Sequence, residues 1–266
     1  MKTQYEALVV EQDGTVLTIR MNRPESLNAL NRQMVSELRN VFQALYFDRS
    51  VRVVVLEGAG RAFCAGLDLK ESSGNSGGKR SVEQGLDGQR SIAEIYVAMR
   101  RCPQPIISLV QGSASGGGFA LALASDIRIL AEDSRMNAAF IRIGLTSCDM
   151  GVSYFLPRMV GMSLASEYML TGRFISAARA MEIGLANRVV PAGEMRRECD
   201  AFVEDMLHAT PLGLRLTKDG LNLAVDVTGL EAAMAIEDRN QVLTANDPNF
   251  AEGVAAFFEK RKPNYS

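Results

Sequence analysis

The stretch Gly112-Ser113-Ala114-Ser115-Gly116-Gly117-Gly118-Phe119-Ala120-Leu121-Ala122-Leu123-Ala124-Ser125-Asp126 decides the fold. The run Ile106-Ile107-Ser108-Leu109-Val110 leads into it, and an Ala/Leu segment of high helix propensity leaves it. Strand, glycine turn and helix leave unpaired backbone N–H groups at a positive helix end. Glycine lacks a Cβ, so the backbone there can come close to a ligand. Such a turn holds a phosphate or the oxyanion of a reacting thioester. Phosphate fits poorly. A P-loop needs Lys and then Ser/Thr after its last glycine, where Phe119-Ala120 stand, and a dinucleotide fingerprint needs glycine where Leu121 stands. Gly58-Ala59-Gly60 fails the same test at Phe63. Taken alone, the triple glycine could simply permit tight packing.

A second motif changes that balance. Gly60-Arg61-Ala62-Phe63-Cys64-Ala65-Gly66-Leu67-Asp68-Leu69-Lys70 also follows an apolar run, Val51 to Leu56. Ala65-Gly66 is a small-residue turn that frees the Leu67 N–H for a ligand. Together with the glycines at 116–118 it supplies the second donor of a two-point oxyanion hole.

The rest of the chain narrows the chemistry. With 266 residues and 47% hydrophobic content, it can bury a sizeable core as one large or two small domains. A net charge of −2 with dispersed basic residues gives no electrostatic footprint for nucleic acid. No apolar run is long enough to span a membrane, and the polar start Met1–Glu6 has no signal-peptide core. Cys64, Cys102, Cys148 and Cys199 form no CxxC pair. Reduced thiols in a cytoplasmic protein are therefore expected. No metal site is expected from those scattered cysteines and a single histidine, His208. His208 lies near a helix end before Pro211 and reads as a surface or capping residue, so a Ser-His-Asp triad is not expected. Ser115, with no histidine partner, is not read as a nucleophile. The base in any catalytic scheme is then a carboxylate.

Asp13-Gly14 between Leu8–Val10 and Val16–Met21 predicts a hairpin. Asn31 predicts a cap for a helix carrying Met34, Val35, Leu38, Val41, Phe42 and Leu45 at helical spacing. A buried strand is predicted at 51–57, and a loop or lid at 71–80. Ser81-Val82-Glu83-Gln84 predicts a capping box for a helix running to Arg101. After a short strand at Ile127–Leu130, the pattern predicts helices at 162–170, 176–184, 193–208, 211–224, 229–245 and 250–260. Strands each followed by a helix, and then a helical tail, indicate an α/β protein.

The chain resembles the crotonase, or enoyl-CoA hydratase/isomerase, superfamily. The resemblance is carried by Met21-Asn22-Arg23-Pro24-Glu25-Ser26-Leu27-Asn28-Ala29-Leu30, Arg61 to Leu69 and Gly112 to Asp126. It continues through Leu170 to Ala177, Gly184 to Pro191 and Phe258 to Pro263. It implies a spiral of ββα units over residues 1–195 carrying an acyl-CoA site. It also implies a helical trimerisation region over 196–266, commonly assembled as a dimer of trimers. The substrate is an acyl-CoA thioester, and no separate cofactor is implied. By motif position, the N–H groups of Leu67 and Gly117 hold the thioester oxygen. Ala65, Leu67, Asp68, Leu69, Lys70, Gly117 and Phe140 line the substrate and coenzyme A side, and Phe257, Phe258 and Lys260 reach a neighbouring subunit's pocket.

The chain departs from the pattern at both glutamates that serve hydration in that family. Ala120 and Phe140 stand in their places, and neither transfers a proton. Asp149 falls where several relatives place a catalytic aspartate. Its alternative role is to cap the next helix. Asp126 reads as structural, Asp68 as fixing the turn at Ala65-Gly66, and Glu94 as part of an exposed helix face. One carboxylate suits a proton shuttle, as in double-bond isomerisation. The alternatives are hydration by another acid/base set, C–C or thioester hydrolysis, or a binding protein that has lost its acids.

Overall fold

A computed structural model describes residues 5–74 and 81–265. The strands are β1 (Leu8–Asp13), β2 (Val16–Met21), β3 (Val53–Gly58), β4 (Ile106–Val110), β5 (Ser113–Ser115), β6 (Ile127–Ala131), β7 (Arg135–Asn137), β8 (Ile175–Ser176) and β9 (Arg188–Val190). Helices α1 (Arg32–Leu45), α2 (Leu69–Gly74), α3 (Val82–Arg101) and α4 (Gly117–Ala124) belong to the first half. They are followed by α5 (Val152–Val160), α6 (Met162–Thr171), α7 (Ala177–Glu182), α8 (Met195–Leu207), α9 (Pro211–Ala224), α10 (Leu230–Ala245) and α11 (Asn249–Glu259).

Asp13-Gly14 turns β1 back on β2 as an antiparallel pair, and Gly14 takes the positive φ (54°) that the turn needs. From β2 onward the larger sheet is parallel, in the order β1-β2-β3-β4-β6-β9. Its central strands are apolar on both faces, as expected for a covered parallel sheet. Val54, Leu56, Ile106, Val110 and Leu130 join the main core with α1, α3 and α4. Their alternates Val53, Val55, Ile107, Leu109 and Ile129 pack against Met195, Cys199 and Val203 of α8.

The smaller sheet runs β5-β7-β8. After β4 the chain enters it as β5 and then forms α4; after β6 it enters as β7. The segment after β3 makes the same step in reduced form, through the parallel bridge Cys64↔Ala114. These are the ββα turns of a spiral, each stacked on the last.

Local signals in the sequence set the helix boundaries. The Asn31 side chain accepts the Met34 N–H at 2.9 Å, and α1 buries Met34, Val35, Leu38, Val41, Phe42 and Leu45. At about 1.5–3 kcal/mol for each fully buried side chain, that face holds the helix in place. Ser81 and Gln84 form the reciprocal capping box of α3. The tail helices begin and end within a few residues of their predicted limits. Helix α5, with Gly151 before it and Pro157 inside it, is foreseen in the sequence only through the capping role weighed for Asp149, with no range of its own. The predicted loop at 71–80 begins instead as helix α2, because Asp68 accepts the Glu71 N–H (3.3 Å) and Glu71 accepts the Arg32 N–H (3.0 Å). Residues 75–80 lie outside the described residues. Among the described residues, no helix is long and apolar enough to cross a membrane.

Two buried polar residues tie the segments together. Lys218 of α9 is 4% exposed, donates to the carbonyls of Met99 and Gln104, and pairs with Asp126 at 2.7 Å. Asp126 also accepts the Ile106 N–H and pairs with Arg100, which bears out its structural reading. Asn28 is fully buried with φ 55°, a conformation that Asn tolerates better than most residues. It accepts the Arg23 N–H and donates to the carbonyls of Ala59 and Ala62, each at 2.8–2.9 Å. It thereby sets the path of the chain toward Cys64. Asn28→Ala should lower stability by about 2–4 kcal/mol, since it strands those buried groups. Urea unfolding should show a lower midpoint at unchanged slope.

Candidate active site

Two backbone turns meet with no side chain between them. The Cys64 N–H donates to the Ser113 carbonyl at 3.1 Å, and the Ser115 N–H returns to the Cys64 carbonyl at 3.0 Å. A Cβ on Gly118 would lie 2.1 Å from the Cys64 carbonyl oxygen. A Cβ on Gly66, whose φ is 94°, would lie 2.7 Å from the Ser115 oxygen and 3.4 Å from the Gly117 nitrogen. Only glycine allows this approach.

These turns carry the N–H groups of Leu67 and Gly117. Leu30 uses the Gly66 carbonyl (2.7 Å) and the Asp68 N–H (3.1 Å), so the Leu67 N–H faces away from that bridge. The Gly117 N–H opens α4 and has no intrahelical partner. Among the described residues, neither amide has a hydrogen-bond acceptor. The Gly116 N–H is taken up by the Asn137 carbonyl at 3.0 Å, which pins the turn to the smaller sheet.

Three side chains close around Gly117. A Cβ there would meet Leu30 at 2.9 Å and both the Met150 sulfur and the Tyr96 hydroxyl at 3.2 Å. The buried Tyr96 hydroxyl donates to the Gly117 carbonyl and lies 3.1 Å from the Met150 sulfur. Burial pushes its phenol well above its ordinary value, and Cys64 and Asp149 add to the shift. Burial likewise pushes the Cys64 thiol up to about 12, which removes it as a thiolate nucleophile. Tyr96 and Met150 also line a cleft of about 1440 Å³ between α1, α3, α5 and α9, with Tyr46, Phe47, Val97 and Phe155 among its apolar walls.

Asp149 precedes Met150 in a loop where Met150 (φ 50°) and Gly151 (φ 82°) both take positive φ. Its Oδ1 accepts the Met150 N–H at 2.7 Å and a bond from the Gln89 amide. Helix α5 is capped by Gly151 with no side-chain hydrogen bond, so the Asp149 carboxylate is not its cap. Burial raises the Asp149 pKa above its ordinary value, while the two donated hydrogen bonds pull the other way.

The other candidates sort by their partners. The Phe140 ring packs on Gly116, 3.5 Å from where its Cβ would be, and Ala120 is fully buried in α4. The Ala65 N–H is held by the Leu27 carbonyl at 3.0 Å, while Leu69 and Lys70 open α2 at the surface. The Asp68 carboxylate is engaged by Arg23 at 3.0 Å and by the Glu71 N–H. Burial works to raise its pKa, but these partners outweigh it and hold the carboxyl below its usual range. Glu94 pairs with Arg101, and His208 caps α8 through the Glu204 carbonyl. Phe257 and Phe258 stand exposed at the end of α11. Gln89, Tyr96 and Met150 escape a reading of the sequence. The first two lie seven apart on α3 and so share a face, which is the one signal available for them.

The family described as Enoyl-CoA hydratase/isomerase matches residues 11–266. A probable enoyl-CoA hydratase of Mycobacterium tuberculosis is 40% identical, across 97% of this chain and 92% of that protein. The 1,2-epoxyphenylacetyl-CoA isomerase of Escherichia coli is 32% identical, across 98% of each chain. The crystal structure of an enoyl-CoA hydratase from Mycobacterium smegmatis superposes with a TM-score of 0.89 at 34% identity, covering 97% of this chain and 98% of that one.

A raised carboxyl pKa means that the folded state holds its proton to higher pH than the unfolded state. Asp149 therefore costs stability as pH rises from its ordinary value of 3.8 through its folded value, and the cost persists above that window. Asp149→Asn should raise Tm at pH 7 by about 1–2 °C, a small gain because solvent screens a half-exposed group. The gain should vanish toward pH 3.8. Differential scanning calorimetry across that range checks both.

Proposed function

Because the chain belongs to the enoyl-CoA hydratase/isomerase family, we propose that it is an acyl-CoA enzyme that stabilises a thioester enolate. The Leu67 and Gly117 N–H groups hold the thioester oxygen, and Asp149 moves the proton. The observation that carries this reading is the pair of amides without acceptors, on turns pressed together at Gly66 and Gly118. Two donors aimed at one oxygen lower the barrier to enolate formation, and losing one such donor costs about 10²–10³ in kcat in a well-studied case.

The chemistry we favour is double-bond isomerisation. Asp149 removes a proton at one carbon, the two amides hold the dienolate, and the same carboxyl returns the proton at another carbon. Atoms balance without water or a cofactor. The absence of an acid at both Ala120 and Phe140 supports a single-carboxylate cycle over hydration by a glutamate pair. So does the likeness to a protein named as an isomerase. The raised Asp149 pKa also suits a group that must both take and give a proton. In this reading Ala65, Asp68, Leu69 and Lys70 flank the coenzyme A end, and Phe140 presents an apolar wall to the acyl group. Residues 1–195 carry the site, and 196–266 provide the contacts of a homotrimer or a dimer of trimers in the cytoplasm. Hydration is the second reading, favoured by the relatives named as enoyl-CoA hydratases, and would require an acid/base set outside the usual positions.

Isomerisation of 3-hexenoyl-CoA, and exchange of its α-protons in deuterated water, should both proceed with the wild type. Both should fall by about 10²–10⁴-fold in Asp149→Asn. Loss of the crotonyl-CoA chromophore at a comparable, mutation-sensitive rate would favour hydration instead. No turnover or exchange with any acyl-CoA would leave a binding protein.

A further inference from the structure

We infer that Gln89 is a positioning residue that holds Asp149 Oδ1, so that Oδ2 is the oxygen that takes and returns the proton; the inference rests on Asp149 being the base. Oδ1 accepts both hydrogen bonds made to this carboxylate, from the Met150 N–H and from the Gln89 amide. Among the described residues, Oδ2 accepts none. The two oxygens are therefore inequivalent. One is fixed from both sides, and the other is open to a reacting C–H.

The placement of Gln89 strengthens the case. Residues 82–90 of α3 are exposed throughout, so packing does not immobilise the Gln89 side chain. Among the described residues, the hydrogen bond to Asp149 is the one that its amide makes. Seven residues on, Tyr96 holds the Gly117 carbonyl. One helix thus touches both parts of the site, and the span between these two side chains sets the distance from the carboxylate to the amide pair. The buried half of α3, with Ile95, Tyr96, Ala98 and Met99, anchors that helix, and a spacing set along one helix is the kind a near-attack geometry requires.

The electrostatic consequence has a defined sign. An N–H donated to a carboxylate favours its ionised form. Removing it makes Asp149 a better proton holder and moves the acidic limb of the rate profile to higher pH. Among the described residues, Tyr96 on α3 couples to Asp149, Cys64 on the 64–67 turn couples in turn to Tyr96, and the exposed Cys148 adjoins Asp149 in the chain; Tyr96 and Cys64 are the buried pair. Both stay neutral across that limb, because burial raises each of them well above it.

The test is α-proton exchange of 3-hexenoyl-CoA against pH in the wild type, Gln89→Ala, Gln89→Glu and Gln89→Lys. A parallel ¹³C-carboxyl NMR titration of Asp149 without substrate accompanies it. Gln89→Ala should move the midpoint upward and lower exchange about three- to tenfold at fixed pH on the acidic limb. Gln89→Glu should move it further up, and Gln89→Lys should move it below the wild type. Variants that lose rate by one factor at every pH, with both midpoints unmoved, would overturn the inference while leaving Asp149 as the base. NMR shifts of the expected signs, with exchange unaffected by Asp149→Asn, would keep the Gln89 contact but remove the base it was meant to serve, and the inference would fall with that reading.

Discussion

The structure turns on a contact between two stretches of main chain that leaves no space for a side chain. The Cys64 carbonyl lies against Gly118, and Gly66 lies against the Ser115 carbonyl and the Gly117 nitrogen. The approaches to the Cys64 and Ser115 carbonyls are closer than any Cβ allows, so Gly118 and Gly66 follow from distance. Reciprocal hydrogen bonds between Cys64 and residues 113 and 115 hold the two turns in register. Asn28 holds the upstream one from behind through the carbonyls of Ala59 and Ala62. The amide pair at Leu67 and Gly117 results from that arrangement. Because both N–H groups belong to the backbone, the side chain at Leu67 can vary without removing its N–H, whereas Gly117 is also held to glycine by Leu30, Met150 and Tyr96.

Much of this was legible in the residues, for reasons that can be named. Asp13-Gly14, the Asn31 cap and the Ser81–Gln84 box are local signals, and the structure places hairpin and helices accordingly. The glycines of the site were visible because close approach leaves a compositional trace. The smaller sheet was not visible, since β5, β7 and β8 are two or three residues long and carry no alternation. Met150 left no trace either, because nothing about an unbranched side chain announces a positive φ. The role of α2 was hidden by its Ser/Gly composition and emerged only from capping by Asp68 and pairing of Glu71 with Arg32. Fold and turn could be read from the chain, but the surroundings of the carboxylate could not, because Gln89, Tyr96 and Asp149 meet only after the helices pack.

The site also illustrates how little ionisable material such chemistry requires. Ala120 and Phe140 carry no proton, Cys64 and Tyr96 are locked in neutral form, and Asp68 is committed to Arg23. What remains is a half-buried carboxylate with a raised pKa, Asp149, while Met150, Tyr96 and Leu30 close around Gly117. In the proposed reaction, low polarity around the amides would strengthen their hold on a developing negative charge.

Asp126 lies at the junction of α4 and β6, and its partner Lys218 belongs to α9. Breaking a buried pair of this kind strands a charge at a cost of about 3–5 kcal/mol, a large share of a domain's total stability. The tail helices are thus fastened to the helix that begins at the Gly116–Gly118 turn. A protease that trimmed the chain ahead of α9 would remove Lys218 and leave Asp126 with only Arg100 and the Ile106 N–H, so the part of this polypeptide before α9 is ill suited to an independent existence.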